Sequence, residues 1–305
     1  MSMAEERVIK IGMLGLGTVG TGVYKVLKSQ QEEMLPKLGA RVELKKILVR
    51  NVEKAAAKVD DPSIITTSFE EIANDPEIEI VVEVMGGVEP AFTFVKKALE
   101  AGKSVCTSNK ALVAAHGPEL LEMAKERRLN FMFEASVGGG IPIIRPLNQS
   151  LTADEITKIT GILNGTTNYI LTKMSREGIS YQEVLKEAQA LGYAERNPEA
   201  DVEGYDACRK IAILTSLAFG NTVKFEEVYT EGITKISNED FAYAKELGSV
   251  IKLLATSYSK DGKVYAITAP FMIDSTHPLY NVNDVLNGIY VHGNVCLLYT
   301  SPSPR

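Results

Sequence analysis

The feature that most narrows the possible folds lies near the N-terminus. Val8-Ile-Lys-Ile-Gly-Met-Leu14 is a short β-rich run that ends on Gly15-Leu16-Gly17-Thr18-Val19-Gly20. Thr21–Lys28 follows with apolar residues at helical spacing, Val23, Val26 and Leu27. A strand that feeds a glycine turn and then a helix is the opening of a dinucleotide-binding βαβ unit. In such a unit Gly15 makes the tight turn, Gly17 lets the main chain approach a pyrophosphate, and Gly20 lets helix and strand pack closely. The helix N-terminus then presents free N–H groups and a positive dipole end to the phosphates.

The alternation continues. Val42–Val49 reads as a second strand, with Arg50 where an NAD-specific fold usually carries an acid for the ribose 2′-hydroxyl. A guanidinium there can pair with a 2′-phosphate, which leans the cofactor towards NADP(H); a surface arginine opening a helix, with NAD(H) also used, is the alternative. Ser68-Phe-Glu-Glu71 reads as a capping box that opens a short helix. Ile78–Val84 is a strand of the kind buried on both faces, and Gly86-Gly87 ends it. Pro90–Ala101 reads as a helix closed by Gly102, and strand Ser104–Thr107 delivers Ser108-Asn109-Lys110 at its carboxyl end. Cys106 lacks the paired base that a nucleophile requires, since His116 is the only histidine nearby, and reads as a small buried residue. This β-α-β-α order with short connections specifies a parallel, doubly wound sheet.

Composition excludes several classes. With 305 residues, a net charge of −6 and 24% charged residues, the chain has the size of two domains and no basic stripe for nucleic acid. It holds no apolar run long enough to span a bilayer and no secretory core at its N-terminus, and Met1–Arg7 reads as a disordered lead-in. Three widely spaced cysteines, Cys106, Cys208 and Cys296, suit a reducing, cytoplasmic location.

Two further stretches carry chemistry. Phe131-Met-Phe-Glu134-Ala-Ser-Val137-Gly-Gly139-Gly-Ile141-Pro bends through three glycines, and its carbonyls with one carboxylate are hard oxygen ligands; an inter-domain hinge is the alternative. In Ala188–Lys210 a helix stops at Gly192, a polar loop carries Glu195, Asn197, Pro198 and Asp201, and a second helix starts near Asp201 or Glu203. Asp206 and Lys210 share a face of that second helix. Between these stretches, strand Ile156–Leu163 turns through Asn164-Gly165-Thr166-Thr167 into a helix reaching Met174. Thr166 there is either a substrate contact or a helix cap. Strands Val250–Tyr258 and Val264–Pro270 complete a mixed sheet whose apolar open face is better paired than bare, as in a homodimer or higher homo-oligomer.

The run Gly192-Tyr-Ala-Glu195, Asn197-Pro198, Asp201-Val-Glu-Gly204-Tyr-Asp206 and Lys210 resembles the signature segment of homoserine dehydrogenase. Thr107-Ser-Asn-Lys110, the Gly165-Thr166 element and His277-Pro278-Leu279, which leads into a last strand Gly288–His292, resemble further family elements. The resemblance spans Ile9 to Asn294. It implies an N-terminal Rossmann-type domain (1–145) and a second α+β substrate and dimerisation domain (146–294). The implied reaction interconverts L-homoserine and L-aspartate 4-semialdehyde with NAD(P)H, a step towards threonine, methionine and isoleucine. By the same resemblance Lys210 donates the proton with Asp206 orienting it, and Lys110 is the rival donor. Glu195 binds the substrate ammonium, supported by Asp201, and Thr166 contacts substrate. Gly15, Leu16, Gly17, Thr18, Val19, Gly20, Arg50, Ser108, Lys110 and Gly192 face the cofactor. A sodium ion is held by Glu134 and the main-chain oxygens of Val137, Gly139 and Ile141.

A reductase for another amino-acid aldehyde, or a nucleotide-binding protein without activity, are the alternatives. Residues 295–305 depart from the family and read as a truncated or non-native tail that cannot form helix.

Overall fold

The computed structural model of the chain describes residues 7–151, 153–295 and 297–303. The expected lead-in at 1–6 therefore lies outside the described residues. Two compact units emerge, Met1–Phe133 and Glu134–Arg305. Residues 134–145, placed with the nucleotide half from sequence, fall in the second unit, and the Glu134 carboxylate closes this segment on itself by accepting main-chain N–H bonds from Ile143, Ile144 and Arg145.

In the first unit the strands are β1 (Val8–Leu14), β2 (Arg41–Leu48), β3 (Ile65–Thr66), β4 (Ile78–Glu83), β5 (Ser104–Thr107) and β6 (Phe131–Met132). The helices are α1 (Thr18–Ser29), α2 (Gln31–Leu38), α3 (Val52–Ala56), α4 (Glu70–Ala73), α5 (Ala91–Glu100) and α6 (Lys110–Glu126). The sheet order is β3-β2-β1-β4-β5-β6 and its ladders are parallel, the doubly wound arrangement expected. Helix faces follow from spacing: α5 buries Ala91, Val95, Ala98 and Leu99, which fall on one stripe. The strand order reverses beside β1, and in such sheets ligands bind at the carboxyl edge at that point.

One local expectation fails. The Ser68–Glu71 capping box does not form: Phe69 is the residue before α4, the Ser68 hydroxyl bonds Glu70, and Glu71 is taken by the Thr66 hydroxyl at 2.8 Å. Capping boxes form instead at Ser180/Glu183 and Ser237/Asp240.

The second unit has strands β7 (Ile156–Ile162), β8 (Tyr229–Thr230), β9 (Ser249–Lys260), β10 (Lys263–Asp274), β11 (Asn287–Gly293) and β12 (Leu297–Ser303). Its helices are α7 (Gly165–Glu177), α8 (Tyr181–Ala190), α9 (Glu199–Val202), α10 (Tyr205–Phe219) and α11 (Asn238–Glu246). The sheet runs β12-β11-β7-β9-β10-β8 and is mixed, with β10·β8 parallel and the other ladders antiparallel. Gly288–His292 is thus not the last strand; residues 297–303 pair with β11 as β12. The helix expected to start near Asp201 or Glu203 is two helices. Gly204, at φ 81°, ends α9 and opens α10, because only glycine turns so sharply there beside Thr230 and Thr268. Ile170, Leu171, Met174, Val184, Ile233 and Leu253 form the core under the helices. A second cluster, Ile162, Leu254, Ile273, Leu279 and Val282, lies under the segment between β10 and β11. Among the described residues no helix is long and apolar enough to cross a membrane.

Candidate functional site

In the first unit the three motif glycines have different reasons to be glycine. Gly15 sits at φ 103° and donates its N–H to Leu48 O at 2.9 Å. A Cβ on Gly20 would lie 2.4 Å from Gly15 O, so helix and turn could not approach. A Cβ on Gly17 would meet no protein atom within 4 Å. Internal packing does not require glycine at 17, so the space beside it is free for a group from outside the fold. Gly17 precedes α1 without any side-chain cap, which leaves the first N–H groups of a 12-residue helix available to an anion.

Around this turn lies a cleft of about 870 Å³, lined by Gly15, Leu16, Gly17, Arg50, Gly86 and Phe94 among others, within the size range of cofactor sites. Arg50 lines it, and so do Lys54 and Lys58, which the sequence did not single out. Lys58 Nζ donates to Leu16 O at 2.8 Å and so also ties α3's neighbourhood to the glycine turn. Thr18 and Val19 open α1, and Val19 is 52% exposed.

At the carboxyl edge of β4 and β5 stands a residue the sequence reading passed over as one of the acids in a buried strand. Glu83 is fully buried. It accepts bonds from the Thr107 hydroxyl (2.6 Å) and the Met85 N–H (2.7 Å). Asn109 bridges onward from the Leu112 N–H, which it caps, to Gly87 O at 2.6 Å. One buried carboxylate therefore holds the two loops that carry Gly86-Gly87 and Ser108-Asn109-Lys110. Ser108 is half-buried and Lys110 opens α6. Cys106, read as buried, is exposed; surrounding protein nonetheless raises its thiol pKa, which keeps it protonated and a poor nucleophile.

In the second unit the signature segment gathers around Asp206. This carboxylate is 3% exposed and its Oδ2 accepts from Lys210 Nζ at 2.7 Å and from Asn164 Nδ2 at 3.0 Å. Lys210 Nζ also donates to Leu163 O at 2.7 Å, and the same Asn164 amide group donates to Asp201 at 2.7 Å. Asn164 Oδ1 meanwhile caps α7 through the Thr167 N–H. Sequence separation hid this hub: Asn164 stands 37 residues from Asp201 and 42 from Asp206, and its only local signal was an Asn before a helix. Thr166 is not the cap; it is fully buried and its hydroxyl donates to Tyr193 O at 2.6 Å. Glu195 is exposed on its loop, where Gln189 holds its main-chain oxygen at 3.1 Å. Gly192, at φ 76°, is the left-handed stop after α8 and is exposed.

The Glu134–Ile141 turn has Gly138 and Gly140 at positive φ, and Val137 and Ile141 are buried. Glu134 accepts three N–H bonds, so of its roughly four lone-pair sites about one is left for a cation. Among the described residues no group of three or more His, Cys, Asp or Glu side chains could hold a metal.

Comparison with known proteins bears on both units. A family model described as "Homoserine dehydrogenase, NAD binding domain" matches residues 15–134, and one described as "Homoserine dehydrogenase" matches 142–301, which reaches into the tail. A homoserine dehydrogenase of Synechocystis is 49% identical over 94% of this chain and 66% of its own length. The crystal structure of a homoserine dehydrogenase from Thiobacillus denitrificans superposes with a TM-score of 0.92 at 41% identity, covering 98% of this chain and 69% of that one. A hyperthermophilic archaeal homoserine dehydrogenase in complex with NADPH gives 0.79 at 27% identity, covering 97% and 92%. The chain spans about 66% of the length of the curated relatives it matches first.

Proposed function

Because the chain belongs to the homoserine dehydrogenase family, we propose that it catalyses the NAD(P)-dependent interconversion of L-homoserine and L-aspartate 4-semialdehyde. The observation that carries this reading is the Lys210–Asp206–Asn164 cluster, an ammonium held by a nearly buried carboxylate on a rigid helix. When bound, the nicotinamide cofactor supplies or takes up the hydride. The residues of this chain do the rest. Lys210 delivers the proton to the oxygen that becomes the homoserine hydroxyl, and its charge stabilises that oxygen as negative charge develops. Asp206 keeps the amine aimed, and Asn164 holds Asp206 and Asp201 together. Glu195 and Asp201 bind the substrate ammonium, Thr166 shapes the substrate turn, and Lys110, the alternative donor, positions cofactor or substrate.

NADP(H) is the preferred cofactor in this reading, with NAD(H) accepted. Arg50, Lys54 and Lys58 line the cleft against one carboxylate, Glu89, which supports a 2′-phosphate. Gly15–Gly20, Ser108 and Gly192 complete the proposed cofactor contacts. A sodium ion held by Glu134 and the oxygens of Val137, Gly139 and Ile141 is proposed from the hardness of those donors. The proposed assembly is a homodimer or higher homo-oligomer, supported by exposed Tyr258, Tyr265 and Met272 on β9 and β10, and the proposed location is the cytoplasm. The threonine, methionine and isoleucine routes follow from the substrate. One assay tests the whole: NADPH absorbance should fall when L-aspartate 4-semialdehyde is added and stay constant without it. Faster oxidation with another amino-acid aldehyde would refute the substrate, and no oxidation with any aldehyde would refute the reaction.

A further inference from the structure

The second unit buries a lysine that none of this chemistry uses. Lys252, on β9, is 2% exposed and is the largest fully buried side chain among the described residues. Its hydrogen-bond partners are three neutral oxygens: Val282 O at 2.7 Å, Asn283 Oδ1 at 2.8 Å and Asn168 Oδ1 at 3.1 Å. Burial lowers its pKa from 10.5 to about 8, so at neutral pH the group is still an ammonium. An ammonium brings three N–H donors to three acceptors, whereas a neutral amine would bring two. The nearby charges, Arg176 and Asp284, already pair with each other at 3.0 Å.

The three oxygens come from α7 and from residues 275–286, the strap between β10 and β11 that includes the His277-Pro278-Leu279 element. Leu279 and Val282 of the strap are buried. Asn168, Thr172 and Arg176 fall four residues apart, on one stripe of α7, and each grips the strap. Asn168 Nδ2 donates to Val282 O and Leu286 O, the Thr172 hydroxyl accepts from the Asp284 N–H, and Arg176 pairs with Asp284. The strap also presses on the turn that carries Asn164 and Thr166, since a Cβ on Gly165 would lie 2.6 Å from Val285 O.

We propose that Lys252 is a built-in monovalent cation: its ammonium fills a cage formed by Asn168 Oδ1, Val282 O and Asn283 Oδ1, and thereby latches the strap along α7 and against the Asn164–Thr166 turn. The cage is then a site for a monovalent ammonium-type cation that the fold supplies from its own side chain. Lys252 acts as a positioning residue, and an outside cation of the same shape can replace it. Atoms Cγ to Nζ of lysine correspond to n-propylammonium.

Lys252→Ala is therefore titrated with n-propylammonium chloride, with tetramethylammonium chloride at equal ionic strength as the control. The variant should melt about 10 °C below the parent, and n-propylammonium alone should restore most of that loss. Equal restoration by tetramethylammonium, or none by n-propylammonium, overturns the cage. Should Lys252→Ala not fold, Asn283→Asp decides: a carboxylate 2.8 Å from a cation should raise Tm at pH 7 by about 3 °C, and a lower Tm overturns the proposal. A kinetic arm rests on the proposed reaction. The KM for L-homoserine should rise about 10-fold in Lys252→Ala and recover with n-propylammonium, while the KM for NADP stays constant. An NADP effect of equal size overturns the latch; melting carries the cage independently of whether the proposed reaction holds.

Discussion

The cofactor cleft of the first unit and the Asp206 cluster of the second solve polar recognition in opposite ways. The cleft is open and is shaped by main chain: a left-handed glycine, an uncapped helix N-terminus, and exposed cations at the rim. The cluster is nearly dry and is built from side chains that bond one another. A backbone-built site tolerates exchange of its side chains and tunes preference through the rim. A side-chain cluster loses its function when one member goes, because the remaining partners are left buried and unpaired.

The largest effect should come from the cluster. Asp206→Ala removes the carboxylate that Lys210 and Asn164 share, and kcat should fall about 10³-fold with NADPH affinity unchanged, read by steady-state kinetics beside fluorescence titration. A decrease below about 10-fold would remove the distinction between the units. At the rim of the cleft, Arg50→Asp should raise the KM for NADPH about 30-fold and leave that for NADH within about 3-fold. Equal changes would mean that Arg50 does not read the 2′-phosphate.

Within the glycine turn itself the comparison becomes sharper. Gly20→Ala places a Cβ against Gly15 O and should cost about 2 kcal/mol of stability. Gly17→Ala meets nothing in the protein, so it should leave Tm unchanged and weaken NADPH about 10-fold. Loss of stability in Gly17→Ala would show that the open space belongs to the fold rather than to a ligand.

The contrast also explains what could be read in advance. The first unit's parallel, doubly wound sheet and its glycine turn were legible because each βαβ step is local and periodicity with one motif points to it. The Asp206–Lys210 pair was legible for the same reason, as an i, i+4 pair on one helix. Asn164, Lys54, Lys58 and Glu83 were not, because each depends on partners brought near by the fold. The Ser68–Glu71 pattern misled for a related reason: Thr66, on the adjoining strand, competes for Glu71 and wins. The tail was read as truncated or non-native and unable to form helix, and strand pairing with β11 is a long-range event that no local pattern announced.

A pH-dependent effect is expected from Lys252. Its folded pKa, about 8, lies below the 10.5 of the free side chain. Below pH 8 folded and unfolded chains both hold the proton, and the full cost of burying it is present. Between pH 8 and 10.5 the unfolded chain holds more protons, so this group makes stability rise with pH, by at most about 1.4 kcal/mol per pH unit. Arg176 and Asp284 are the charged groups facing it. Denaturant melts of parent and Lys252→Met should diverge across the window and run parallel below it; parallel curves throughout would mean that burial does not lower the pKa of this lysine.

The central claim is that the amine of Lys210 moves the proton while the first unit holds the nucleotide. Single-turnover oxidation of bound NADPH by L-aspartate 4-semialdehyde in Lys210→Met tests it most directly. The account predicts a rate about 10³-fold below the parent with NADPH Kd within about 2-fold. A rate near that of the parent would contradict it.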